Sequence, residues 1–128
     1  MGLKLFMSKI LVVDDEPMVL DLVAATLQQE KYDVLTAANV AVALQQAKLY
    51  EGDISLLIVN HSVDFQSGRT LVDEILPVQP QMKVLRFSGH LESQLRASGE
   101  MRPESFFIQK PFLPKELVGK VREIIGLA

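Results

Sequence analysis

Short apolar runs alternate along this chain with longer stretches of helical period, and the alternation repeats five times. A βαβα order of this kind argues for an α/β fold, a parallel sheet with helices on both faces. The first run, Lys9-Ile10-Leu11-Val12-Val13, is rich in β-branched residues and stops at Asp14-Asp15-Glu16-Pro17, where proline suits the first turn of a helix. Val19, Leu22, Val23 and Leu27 follow at helical spacing, which predicts one face turned to the sheet in a helix ending near Glu30. Residues 33–37 read as the second strand, and Asn39 is a good N-cap for a helix burying Val40, Ala43, Leu44 and Ala47. Gly52-Asp53 closes that helix.

Ile54-Ser55-Leu56-Leu57-Ile58-Val59 is almost continuously apolar, as a central parallel strand covered on both faces should be. Residues 60–67 read as a polar loop in which Asp64 is expected to face solvent. Leu71, Val72, Ile75 and Leu76 predict a short helix closed by Pro77 and Pro80, and residues 82–87 a fourth strand. Ser88-Gly89-His90 makes a turn, residues 91–98 a helix with a thin apolar face that Gly99 ends, and residues 105–109 a fifth strand interrupted by Lys110-Pro111. The closing helix follows Pro114 and buries Leu117, Val118, Val121, Ile124 and Ile125. Open sheets of this class bind ligands at the carboxyl ends of their strands. The residues just beyond strands one, three, four and five are Asp14-Asp15, Asn60, Ser88 and Lys110, so these should converge.

Composition narrows what such a crevice can do. The 128 residues, 48% of them apolar, suffice for one domain with a real core, placed at residues 8–128, with residues 1–7 a loosely ordered extension ahead of it. A net charge of −3 leaves no basic footprint for nucleic acid or an anionic membrane. The uncharged run at 54–63 falls far short of the roughly 18 apolar residues of a membrane span, and the first six residues do not make a signal peptide. The absence of cysteine excludes a disulfide framework, a thiolate metal site and cysteine nucleophilic chemistry, and fits a cytoplasmic setting.

The strand-end residues resemble those of the response-regulator receiver domains of two-component signalling, over essentially the whole of residues 8–127. Lys-Ile-Leu-Val-Val-Asp-Asp-Glu-Pro (9–17) resembles the family's first strand and acidic pair, and Gln-Lys-Pro-Phe (109–112) its lysine-proline signature. Ser88-Gly89 fits the hydroxyl switch position, Phe107 the aromatic switch position, and Gly68, eight residues after Asn60, the family's glycine spacing. The resemblance implies a doubly wound five-stranded sheet of order 2-1-3-4-5 and a cis bond before Pro111. The long segment between Gly99 and Phe107 resembles receivers of hybrid histidine kinases.

Receivers, on that resemblance, carry an aspartate after the third strand that takes a phosphoryl group from a phosphohistidine, while Mg²⁺ and the lysine neutralise the phosphoryl oxygens. Here the acceptor position is Asn60, a neutral amide and a poor nucleophile, so no catalytic residue is assigned and ordinary phosphoacceptance should fail. Ser88 and Lys110 would form the phosphoryl pocket, with Ser88 and Phe107 as switch residues. Mg²⁺ would rest on Asp15, on Asp14 largely through water, and on the Ser62 backbone carbonyl, more weakly without a carboxylate at position 60. Lys110, deprived of its usual partner, is expected to pair with Asp14 or Asp15. Asp64 stands where the family usually has proline, which marks the loop as divergent.

Taken singly, each residue also has a bland reading: an acidic helix cap for Asp14-Asp15, a surface lysine for Lys110, an N-cap for Ser88, core packing for Phe107. His61 alone, without matching ligands, makes no metal site. Three functional readings follow. The first is an atypical receiver, not an enzyme, that binds a histidine kinase or other signalling protein without phosphorylation. Its output face would carry Leu91, Leu95, Arg96, Phe107 and Lys115. The second is a phosphorelay receiver using another acceptor or a deamidated Asn60. The third is a phosphatase-like hydrolase with Asp14 or Asp15 as nucleophile, which lacks the glycine-rich loop and nucleophile elbow of such enzymes.

Overall fold

A computed structural model of the chain describes residues 8–64, 71–101 and 103–126. The proposed extension at residues 1–7, Gly68 and the last two residues of the domain lie outside the described residues. Five strands, β1 (Lys9–Val13), β2 (Asp33–Ala37), β3 (Ile54–Asn60), β4 (Lys83–Ser88) and β5 (Phe106–Gln109), form one sheet in the order β2-β1-β3-β4-β5. Every pair is parallel. The strand order reverses at β1, which leaves a crevice between β1 and β3 at their carboxyl ends.

The helices are α1 (Pro17–Gln29), α2 (Val40–Leu49), α3 (His61–Asp64), α4 (Leu71–Ile75), α5 (Glu92–Ala97) and α6 (Pro114–Ile125). Two apolar layers sandwich the sheet, because successive side chains of each strand point to opposite faces. Ile10, Val12, Leu56, Ile58, Leu85 and Phe87 meet α1 and α6 on one face. Leu11, Val13, Leu57, Val59 and Val84 meet α2 and α4 on the other. Asn39 caps α2 as its sequence position implies, its Oδ1 accepting the Val42 N–H at 2.9 Å.

Three sequence expectations need correction. Leu22 does not face the sheet: it is 54% exposed, and Leu20, with Val23, Ala24 and Leu27, takes the buried stripe of α1. Within the supposed polar loop, residues 61–64 form a helical turn with His61, Val63 and Asp64 buried, so Asp64 does not face solvent. Val40 and Leu44 of α2, and Val118 and Ile125 of α6, are only partly buried.

Away from the crevice, Gln79 joins three segments. Its Oε1 accepts the Ile54 N–H at 3.0 Å, and its Nε2 donates to the carbonyls of Ala47 at 2.9 Å and Tyr50 at 2.7 Å. One buried amide thus satisfies a donor at the start of β3 and two acceptors at the end of α2.

Candidate functional site

The carboxyl ends of β1, β3, β4 and β5 bring Asp14, Asn60, Ser88 and Lys110 together, as the strand pattern implied. An open cavity of about 630 Å³ lies above them, lined by Asn60, Ser62, Ser88 and Lys110 on one side and by His61 and Glu100 on the other. Asp14 lies beneath it, sealed from solvent, whereas Asp15 is exposed.

The amide of Asn60 is oriented by its neighbours. Its Oδ1 accepts the Ser62 N–H at 3.2 Å and the Ser62 hydroxyl at 3.1 Å. Its Nδ2 faces both carboxylate oxygens of Asp14, at 3.5 Å each. The opposite orientation would set an oxygen against the carboxylate and an NH₂ against the Ser62 N–H, so donor and acceptor chemistry leaves one choice. The amide therefore bridges the Ser62 backbone to the buried acid.

Asp14 also accepts the Glu16 N–H at 2.9 Å, and its Oδ2 lies 3.8 Å from the Lys110 ammonium. Burial pushes its pKa up from the usual carboxylate range, against the lowering pull of the Glu16 N–H, Lys110 and Asn60. The pairing of Lys110 with the acidic pair thus falls on Asp14. The same ammonium stands 4.8 Å from the centroid of the Phe87 ring, a cation–π contact.

Ser88 is buried at the end of β4. Its hydroxyl accepts the His90 N–H at 3.0 Å and its carbonyl accepts the Lys110 N–H at 2.8 Å. The Lys110–Pro111 bond is cis, as the resemblance implied. Phe107 is buried in a small cluster with Leu95 and Met101, which is the core-packing reading of that residue.

Two features escaped the sequence reading. His61, buried at the cavity wall, approaches Glu100 at 3.1 Å through Nε2, and that contact, with the Ser98 hydroxyl, holds the Glu100 carboxyl below its usual pKa. Arg86, in the middle of β4, forms a buried ion pair with Asp64. A lone arginine inside an apolar strand was the available signal, since a buried guanidinium needs a carboxylate within reach.

On the resemblance, Mg²⁺ would rest on the Asp14 and Asp15 carboxylates and the Ser62 backbone carbonyl. With waters, this is a set that a hard cation accepts. The fit is one ligand poorer at position 60, where the NH₂ and not the amide oxygen faces Asp14. Among the described residues, no group of three or more His, Cys, Asp or Glu side chains is placed to hold a metal ion.

With this fold and pocket in place, the comparisons agree. The sequence profile of the response regulator receiver domain matches residues 10–122, and the chain belongs to that family, a class of two-component signalling modules. It is similar to the transcriptional regulatory protein AruR of Pseudomonas aeruginosa, 29% identical over 120 residues, which are 91% of this chain and 49% of that protein. It also resembles the sensor kinase CckA of Brucella abortus, 27% identical over 116 residues, 91% of this chain and 12% of that protein. A solved response regulator receiver domain from Clostridium thermocellum superposes with a TM-score of 0.77 at 26% identity, covering 92% of this chain and 94% of that one. The chain thus spans about half of AruR and a small part of CckA.

Proposed function

We propose that this receiver domain, residues 8–128, relays its signal through protein–protein contact with no phosphoryl group at position 60. The carrying observation is the Asn60 side chain: its nitrogen carries no free lone pair, its oxygen is engaged by Ser62, and its NH₂ faces Asp14. Lys110, which would meet a phosphoryl oxygen, leans toward Asp14. A surrogate acceptor at Asp64 is disfavoured, because that carboxylate is buried and paired with Arg86. Mg²⁺, when bound, would supply charge neutralisation, held by Asp14, Asp15 and the Ser62 carbonyl. Ser88 would orient the turn above it, and Phe107 would hold the α5 side of β5.

The partner on this reading is a histidine kinase or another signalling protein of the cytoplasm, recognised by docking and without turnover. No described helix is long and apolar enough to cross a membrane. The output face around α5, β5 and α6 is redrawn by burial. Leu95 and Phe107 are inside, whereas Leu91 and Lys115 are exposed. Arg96 is committed to the fold, its guanidinium meeting Glu92 at 2.8 Å and the carbonyls of Pro103 at 3.3 Å and Ser105 at 2.9 Å.

The test is intact mass after incubation with Mg²⁺ and acetyl phosphate, with Asn60→Asp alongside. The unmodified chain should gain no phosphoryl mass, and Asn60→Asp should gain one group of about 80 Da, the chemistry being restored with the carboxylate. A phosphoryl gain on the unmodified chain would sink the reading.

A further inference from the structure

Arg86 sits mid-strand in β4, opposite Val59 of β3 and Phe107 of β5 in the sheet register. Leu85 and Phe87 turn to the opposite face, so Arg86 shares its own with Val84 and Ser88. There it separates the large apolar layer containing Val59, Val63 and Val72 from the small cluster of Leu95, Met101 and Phe107. Its guanidinium reaches Asp64, the last residue of α3 and the fourth residue after Asn60. The other oxygen of that carboxylate accepts the Val72 N–H in α4 at 3.2 Å. One carboxylate therefore ties the segment after position 60 to α4 and to β4, two residues before Ser88.

The tie is stiff. The two side chains are 1% and 0% exposed, and drawing them apart inside the protein would strand two charges away from water. An apolar pair at these positions would slide by small steps, whereas a buried ion pair is made or broken. A shift of β4 at Ser88 driven by charge in the pocket would pull on α3 through this contact.

We propose that the Asp64–Arg86 pair is a built-in clamp that holds Ser88 and Phe107 in one arrangement whatever the charge at position 60. It rests on the reading that the domain signals without phosphorylation, and it supplies the reason: the pocket is disconnected from the face that partners would read. The clamp holds these two buried residues still beneath the docking surface.

Two measurements on the whole chain test it. The first compares amide hydrogen exchange in the unmodified protein and in a double variant, Asp64→Leu with Arg86→Met, which replaces the pair by apolar groups of similar size. Exchange at the Ile108 and Lys110 amides, which face β4, should quicken by about tenfold, while Leu11 and Val12 in β1 stay protected and report an intact fold. Equal exchange at Ile108 and Lys110 overturns the clamp.

The second adds Asn60→Asp to both backgrounds and follows ¹⁵N-labelled protein with Mg²⁺ and acetyl phosphate. Both should gain phosphoryl mass, but the Ser88 and Phe107 amide resonances should shift only where the pair has been replaced. Shifts with the pair intact overturn the clamp and leave the proposed function standing. Failure of Asn60→Asp to take a phosphoryl group counts against the pocket reading, and the exchange comparison still decides the clamp.

Discussion

Asp14 shows what one amide changes. A carboxylate at position 60 would place a second negative charge against this buried acid, whereas Asn60 offers it an NH₂ instead. Burial still leaves the Asp14 pKa raised, so between the ordinary value of 3.8 and the higher folded value the native state binds more protons than the unfolded chain. Stability from this group is therefore greatest at low pH and declines as pH rises through that window. Asp14→Asn should remove the decline, giving a flatter stability profile above pH 3.8 and a higher urea midpoint at pH 7; an unchanged slope would contradict it. The convergence of Asp14, Asn60, Ser88 and Lys110 was legible in the sequence, because strand ends in a parallel sheet share one rim. The orientation of the Asn60 amide was not, since it depends on the Ser62 N–H and the Asp14 carboxylate meeting it in three dimensions.

Among the elements, the β3–α3 junction is where sequence pattern misled. Residues 60–67 read as a polar loop with Val63 and Phe65 its only apolar residues, yet α3 buries His61, Val63 and Asp64, because Arg86 and the Val72 N–H give the Asp64 carboxylate partners inside. Hydropathy treats a charge as solvent-seeking and has no knowledge of a counter-charge on a strand 22 residues further on. The same blindness placed Leu22 inward on α1, where Leu20 fills the space. Arg86→Met alone should cost about 3–5 kcal/mol in urea unfolding, leaving Asp64 buried without its cation. Combined with Asp64→Leu, which leaves the Val72 N–H without its acceptor, the loss should shrink to about 1–3 kcal/mol. Additive losses in the two single variants would show that the residues do not act as a pair.

Over the whole molecule, the α/β class and the strand positions were legible because each strand is a short apolar run bounded by turn chemistry. The order 2-1-3-4-5 came from family resemblance, since periodicity does not say which strands are neighbours. Burial then decides which surface a partner can use. Lys115 at the start of α6 is exposed and free of the fold-holding role that Arg96 has, so Lys115→Glu should weaken capture of a cognate histidine kinase in a pull-down with thermal stability unchanged. Undiminished capture would move the docking surface elsewhere. The Asp64–Arg86 pair, finally, carries an evolutionary consequence. Arg86 alone would be a buried cation without a counter-charge, and Asp64 alone a buried anion with only the Val72 N–H. Changing the pair one residue at a time passes through a buried unpaired charge, so the two positions are epistatic and are kept or lost together.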